Sequence, residues 1–84
     1  MKDLKETKEL MCSADYKERF RAEYWQIKIR HSKLVDMVNK WDKGELNFTP
    51  TCPRGIYDTQ LYAMESYMSV LEERAELEGV NLND

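Results

Sequence analysis

The sequence predicts an all-α protein: a long antiparallel helical hairpin with a short N-terminal helix, assembled as a homo-oligomer. Two apolar seams and the loop between them carry this prediction. Seven residues spaced alternately by four and three lie on one face of a long helix: Phe20, Tyr24, Ile27, His31, Leu34, Val38 and Trp41. Six more repeat that spacing farther along: Tyr57, Leu61, Met64, Met68, Leu71 and Ala75.

The ends of the predicted helices follow from capping residues and helix breakers. Asp3, with Glu6 three positions later, is a capping signal for a first helix over residues 3–12. A break near 12–15 precedes the long helix, which spans 15–43 and stops at Gly44. The third helix ends at Gly79, with Val80 placed for a capping contact. We therefore divide the chain into an N-terminal helical leader, residues 1–14, and a hairpin domain, residues 15–84.

The loop between the long helices is GELNFTPTCPRG, and its two prolines prevent helix continuation. Leu46 and Phe48 are expected to fold back onto the hairpin. Thr51 or Cys52 is expected to cap the third helix, with Pro53 in its first turn.

Oligomerisation is predicted from the width of the apolar surface on the third helix. A second apolar stripe runs beside its seam: Ile56, Ala63, Tyr67, Val70 and Leu77. One partner helix cannot cover a face this broad, so a second protomer is expected to cover the rest. We call this second row the apolar stripe.

Composition excludes several classes of protein. One histidine and two scattered cysteines do not form the ligand set of a zinc site, and no nucleophile–base spacing indicates catalysis. We therefore expect no enzyme, no cofactor and no metal. The net charge of −3 argues against a general DNA binder. A charged start without an apolar core predicts no signal peptide or membrane span, hence a cytoplasmic protein with free thiols.

Charge is distributed unevenly between the two long helices. Six basic and two acidic residues lie between Tyr16 and Leu34, whereas one basic and seven acidic residues follow Gly55. The simpler interpretation is attraction between the helices, within or between chains, and charge alone favours it. The alternative is an anion site. An aromatic and basic group suited to stacking on a base and binding phosphate supports that alternative: Tyr16, Arg19, Lys28, Arg30 and Lys33.

Two other residues have open interpretations. His31 lies on the apolar seam, where an interior histidine without chemical function is favoured over a ligand role. Trp25 is expected in the core, and an interface role is its alternative because it lies off the seam. Tyr16 and Arg30 are 14 residues apart, about 21 Å along a straight helix. One small ligand can touch both only through a second protomer or a helix kink.

The sequence also resembles a family of phage proteins. Its first block, YKERFRAEYWQIKIRHSKL, fits the pattern Y-x-x-R-apolar-x-x-E-x-x-x-L-x-x-R/K-x-x-K-L. The second, QLYAMESYMSVLEERAELEGV, fits Q-L-x-A-M-x-x-Y-x-x-(I/V)-L-x-x-R. These blocks resemble the helical-hairpin domain of phage anti-CBASS and anti-Thoeris sponges, which sequester cyclic oligonucleotide immune signals without cleaving them.

The resemblance implies a homo-oligomer, with hexamers among the known assemblies, that binds cyclic di- or trinucleotides in the host cytoplasm. It implies that Tyr16 stacks on a base and that Arg30 of another protomer contacts phosphate. Arg19, Lys33 and Arg74 are implied as further ligand contacts. The competing interpretation is a non-enzymatic hairpin adaptor, or structural phage protein, that docks on a protein partner.

Overall fold

Three α-helices make up the fold in the computed structural model, which describes residues 3–83. They are α1 (Leu4–Leu10), α2 (Tyr16–Asp42) and α3 (Arg54–Glu78). The described residues contain no strand, so the all-α prediction is confirmed. None of the described helices has a segment apolar and long enough to cross a membrane.

Side-chain caps define the break between α1 and α2. The Asp3 carboxylate accepts a hydrogen bond from the Glu6 amide at 3.1 Å, which caps α1. The Asp15 carboxylate accepts from the Lys17 amide at 2.9 Å and caps α2. The hydroxyl of Ser13 accepts from the Asp15 amide at 3.0 Å, which closes the turn between the helices. Because these bonds satisfy amides at helix starts, two short polar segments determine where α1 and α2 begin.

Contacts between α2 and α3 occur in opposite order along the two helices. From the loop end outward, the contacting pairs are Asp42 with Arg54, Trp41 with Tyr57, His31 with Glu65, and Tyr24 with Glu72. This order means that the two helices run in opposite directions where they touch.

The core lies between the N-terminal half of α2 and the C-terminal half of α3. Five buried residues form it: Phe20, Tyr24, Leu71, Ala75 and Val80. Every residue of both predicted seams is buried or half-buried. The heptad spacing therefore identified correctly which face of each helix packs inward.

The chain after α3 folds back over α2. Gly79 has a φ of 70°, and the Val80 amide donates to the Ala75 carbonyl at 2.9 Å. The indole of Trp25 then donates to the Leu82 carbonyl at 2.8 Å. Trp25 is thus half-buried under the chain's own C-terminal segment and packs against the core, as its core interpretation predicts.

Two predictions about the loop are wrong. Pro53 occupies the N-cap position of α3 and no side chain caps it, so neither Thr51 nor Cys52 has that role. Phe48 keeps 55% of its surface exposed, while Leu46 is half-buried. Both cysteines are free: Cys12 is exposed and Cys52 is half-buried.

The apolar stripe of α3 is exposed in the single chain. Its large residues retain between 43% and 80% of their surface: Tyr67, Val70, Ile56 and Leu77. Exposed apolar residues are ordinary when scattered, but these follow helical spacing along one side of α3. α2 and α1 leave this side uncovered.

Candidate functional site

Four of the residues implicated by the sequence lie at the two ends of one edge of the α2–α3 pair: Tyr16 and Arg74 at one end, Arg30 and Lys33 at the other. On α2 that edge carries residues spaced by seven: Tyr16, Glu23 and Arg30. On α3 it carries a second set with the same spacing: Gln60, Tyr67 and Arg74. Because the helices run in opposite directions, Arg74 lies toward Tyr16, Tyr67 faces Glu23, and Gln60 lies toward Arg30. We call these six residues the edge ladder.

Tyr16 and Arg74 belong to the first end of the ladder. Tyr16 is the first residue of α2 and is 45% exposed, so its ring is accessible. The guanidinium of Arg74 lies 4.7 Å from the Phe20 ring centre and donates to the Glu78 carboxylate at 2.8 Å. The hydrogen bond to Glu78 raises the pKa of Arg74, and the nearby Glu23 and Tyr16 add to that effect. This end therefore combines an accessible aromatic ring with a fixed cation.

The middle of the ladder is a direct contact between the two long helices. The phenol of Tyr67 donates a hydrogen bond to the Glu23 carboxylate. Glu23 lies seven residues from Tyr16 and seven from Arg30. The contact is therefore at the midpoint between the two residues implicated in base stacking and phosphate binding.

Arg30 and Lys33 belong to the other end, where they line a groove of about 410 Å³. The groove, which we call the basic groove, has seven lining residues: Leu4, Arg30, Lys33, Leu34, Met37, Gln60 and Met64. All three helices contribute to it. Its apolar side chains can contact a flat ring, while Arg30 and Lys33, both exposed, offer donors to an anion.

Within one chain, the two ends of the ladder are separate. Tyr16 and Arg30 stand 14 residues apart on an uninterrupted helix, a rise of about 21 Å. The structure therefore brings Arg30 to Lys33 and Tyr16 to Arg74, and it does not bring Tyr16 to Arg30.

The other polar candidates have local partners. Arg19 donates to the Ser13 carbonyl at 2.6 Å and so ties α2 to the α1–α2 turn. Lys28 lies 4.8 Å from the centre of the Trp25 ring, in contact with residues outside the ladder. His31, whose side chain is 19% exposed, has its Nε2 3.5 Å from the Glu65 carboxylate.

Ion pairs among residues 3–83 do not explain the charge asymmetry. Among the described residues, the basic side chains of residues 16–34 form no ion pair with the acidic side chains of α3, apart from the His31–Glu65 approach. The favoured interpretation, attraction between the helices, therefore does not take the form of ion pairs between α2 and α3 in the described part of the chain. Attraction between chains and an anion site stay as predictions.

Sequence reasoning missed two contributors to the site. From the sequence, Gln60 is recognised only as part of a motif, and Leu4 is assigned no role. The spacing of Gln60 from Tyr67 and Arg74 was available in the sequence and could have identified the ladder. The position of Leu4 could not be predicted, because it depends on how α1 packs across α2.

A comparison with models of protein families shows which family the chain belongs to. The Sequestin family model matches residues 14–77, which cover all of α2, the loop, and all of α3 except its last residue. The chain belongs to the Sequestin family. Sequestin is the name of phage cyclic-oligonucleotide sponge proteins, so the family indicated by the resemblance is confirmed. No curated protein and no solved structure matches the chain.

Membership in the Sequestin family identifies the chain as a sequestering protein. The match includes the whole edge ladder and both apolar seams. It begins after α1 and ends before Gly79, so Leu4 and the Val80–Asn83 segment lie outside the Sequestin match.

Proposed function

We propose that this Sequestin protein sequesters cyclic di- or trinucleotide immune signals in the host cytoplasm and thereby inhibits anti-phage signalling. It acts by binding alone and is not an enzyme. The observation that carries the proposal is the edge ladder, which places an accessible aromatic ring and a basic groove at opposite ends of one surface. Family membership supports a sequestering role, and the ladder supports a ligand that is both aromatic and anionic.

The functional unit in this proposal is a homo-oligomer built from hairpins that associate through the apolar stripe. Tyr67 belongs both to the stripe and to the ladder, so the two surfaces adjoin. A partner covering the stripe therefore also lies beside the ladder. Interfaces between identical chains commonly have twofold symmetry, in which the same patch of each chain meets itself.

A twofold axis near the Glu23–Tyr67 contact would complete the site. When two α2 helices meet in opposite directions about Glu23, position 16 of one falls opposite position 30 of the other. Tyr16 of one protomer would then stand beside the basic groove of its partner, and the interface would hold two such sites. A hexamer would contain three interfaces of this kind.

The chemistry of each composite site suits a cyclic nucleotide. Tyr16 offers a face for base stacking, and Arg30 offers charge-assisted hydrogen bonds to a phosphate. Lys33 adds a second cation in the same groove. Stacking and hydrogen bonding of this kind leave the phosphodiester bonds intact, so the bound nucleotide is sequestered without being cleaved.

A thermal-unfolding panel tests the proposal. A cyclic di- or trinucleotide present at 100 times its dissociation constant should stabilise the protein by about 2.7 kcal/mol. For a domain of this size, that corresponds to a shift in Tm of more than about 10 °C. Linear dinucleotides with the same bases serve as controls and should shift Tm less. Ligand recovered after heating should have the mass of the intact cyclic compound.

Two results would contradict the proposal. If no cyclic nucleotide shifts Tm while the oligomer is intact, the protein would instead be a non-enzymatic adaptor or structural protein that docks on another protein. If the recovered nucleotide were linear, the protein would be a nuclease rather than a sponge.

A further inference from the structure

The leader helix α1 begins beside the basic groove, although this helix lies outside the Sequestin match. Leu4, the first residue of α1, lines the groove together with Arg30 and Gln60. It is half-buried, so part of its side chain is available to a molecule in the groove. The leader is therefore placed to affect what the groove accepts.

Several contacts hold α1 in this position. Thr7, near the middle of the helix, is completely buried. Its hydroxyl donates a hydrogen bond to the Leu4 carbonyl within α1 at 2.7 Å. Gln26 of α2 donates to the sulfur of Met11 at the end of α1. Arg19 of α2 donates a hydrogen bond to the Ser13 carbonyl in the turn after α1. Because α1 is anchored in its middle and at its C-terminal end, Leu4 has a defined place at the groove.

We propose that Leu4 is a specificity-determining residue that forms an apolar wall against the base of the bound nucleotide. This inference rests on the proposed function, since it assumes a nucleotide in the basic groove. Arg30 and Lys33 attract phosphate whatever the base is, because charge carries no information about the base. A leucine side chain instead distinguishes bases by area, since a purine face covers more of it than a pyrimidine face does.

Gln60 adds a polar contact to the same groove from α3, whereas Leu4 belongs to α1. Its amide provides donors and an acceptor that can pair with a base edge. The groove thus combines an apolar contact, a polar contact and two cations. The Sequestin match supplies the polar contact, the two cations and the apolar residues Leu34, Met37 and Met64, and the leader adds Leu4.

The test compares two leucines of the same helix. Leu4 and Leu10 are both half-buried residues of α1, but only Leu4 lines the groove. Replacement by alanine preserves helix propensity at either position, because alanine is the best helix former. Leu4→Ala is therefore the test variant and Leu10→Ala its control, each in the full chain.

Calorimetry with cyclic di- and triadenylate and their all-uridylate counterparts gives the readout. We expect Leu4→Ala to weaken adenylate binding about fivefold and uridylate binding less, so that purine preference falls. Leu10→Ala should leave that preference unchanged. If Leu4→Ala and Leu10→Ala behave alike while the wild type binds, the inference is wrong and the proposed function stands. If the wild type binds none of the four, the inference is wrong, and the wider thermal-unfolding panel of cyclic nucleotides decides whether the proposed function stands.

Discussion

Tyr67 of α3 donates a hydrogen bond to Glu23 of α2 at the midpoint between Tyr16 and Arg30. Tyr67 also belongs to the apolar stripe and keeps 43% of its surface exposed. The surface that a partner would bury is thus joined to the surface that carries the candidate ligand contacts. For this reason, assembly and binding are expected to depend on each other.

Charge introduced into the apolar stripe should dissociate the oligomer. Val70 is 54% exposed in the single chain and lies one helical turn from Tyr67. Burying the unpaired carboxylate of Val70→Glu between protomers would be strongly unfavourable. Light scattering at micromolar concentration should give several times 10.0 kDa for the wild type and close to that monomer mass for the variant.

Tyr62 provides the control for that substitution. It is 74% exposed on α3 but lies outside the apolar stripe. Tyr62→Glu should leave the mass of the oligomer unchanged. A wild-type protein that scatters as a monomer would refute the oligomer. If both variants dissociate it equally, the apolar stripe is not the surface that holds the protomers together.

The stability of the fold should fall at high pH through Tyr24. This phenol is 5% exposed and donates to the Glu72 carboxylate at 2.6 Å. Burial, together with the hydrogen bond and charge of Glu72, raises the pKa of Tyr24 from 10.0 to about 12. Between these two values the folded state holds a proton that the unfolded state has released. The stabilisation is therefore complete below pH 10 and is lost as the pH rises through 12.

Comparison with Tyr24→Phe isolates this effect from other groups that titrate in the same range. Between pH 10 and pH 12, the free energy of unfolding of the wild type should fall by on the order of 1–3 kcal/mol more than that of Tyr24→Phe. The measurement is the free energy of unfolding by denaturant at several pH values. Parallel pH profiles of stability for the two proteins would show that the Tyr24 proton does not stabilise the fold.

Two glycines at the ends of α3 should change the stability of the fold in opposite directions when each is replaced by alanine. A Cβ would meet no atom within 4 Å at either Gly55 or Gly79, but only Gly79 has a positive φ, of 70°. Gly79→Ala should lower the free energy of unfolding by about 1–2 kcal/mol, because alanine is strained in the left-handed conformation. Gly55→Ala should stabilise by up to about 1 kcal/mol through lower unfolded-state entropy. Denaturant titrations of both variants check the signs, and destabilisation by both would contradict this account.

Much of the fold could be predicted from the sequence because helical periodicity is a local signal. The seams around Tyr24 and Leu71 identify the buried faces, and Asp3, Asp15 and Gly79 mark helix ends through bonds to nearby amides and carbonyls. The cap predicted at Thr51 or Cys52 failed because Pro53 itself occupies that position without a side-chain bond.

Features that depend on distant parts of the chain could not be predicted in this way. Trp25 is covered by Leu82, which lies 57 residues away, and periodicity within α2 contains no information about that segment. Leu4 reaches the basic groove only because α1 packs across α2. The roles of Arg30 and Lys33 were assigned by resemblance, and the structure adds that they share a groove with Gln60.

The central claim is that one site combines Tyr16 of one protomer with Arg30 of another. Tyr16→Ala should remove stacking worth ~1–3 kcal/mol. Arg30→Ala should remove a charge-assisted hydrogen bond worth ~1.5–3 kcal/mol. Each variant alone should bind roughly tenfold or more weakly than the wild type. Both residues are exposed, so both variants should fold and assemble, and Tyr62→Ala is the matched aromatic control.

Mixing the two variants tests this claim most directly. A mixed pair would have one site lacking both side chains and one intact site, in which Tyr16 and Arg30 come from opposite protomers. When the variants are co-refolded, calorimetry with the cyclic nucleotide should recover wild-type affinity in roughly a quarter of the sites, as random pairing requires. If the mixture binds no better than its separate components while mixed oligomers form, the composite site is contradicted.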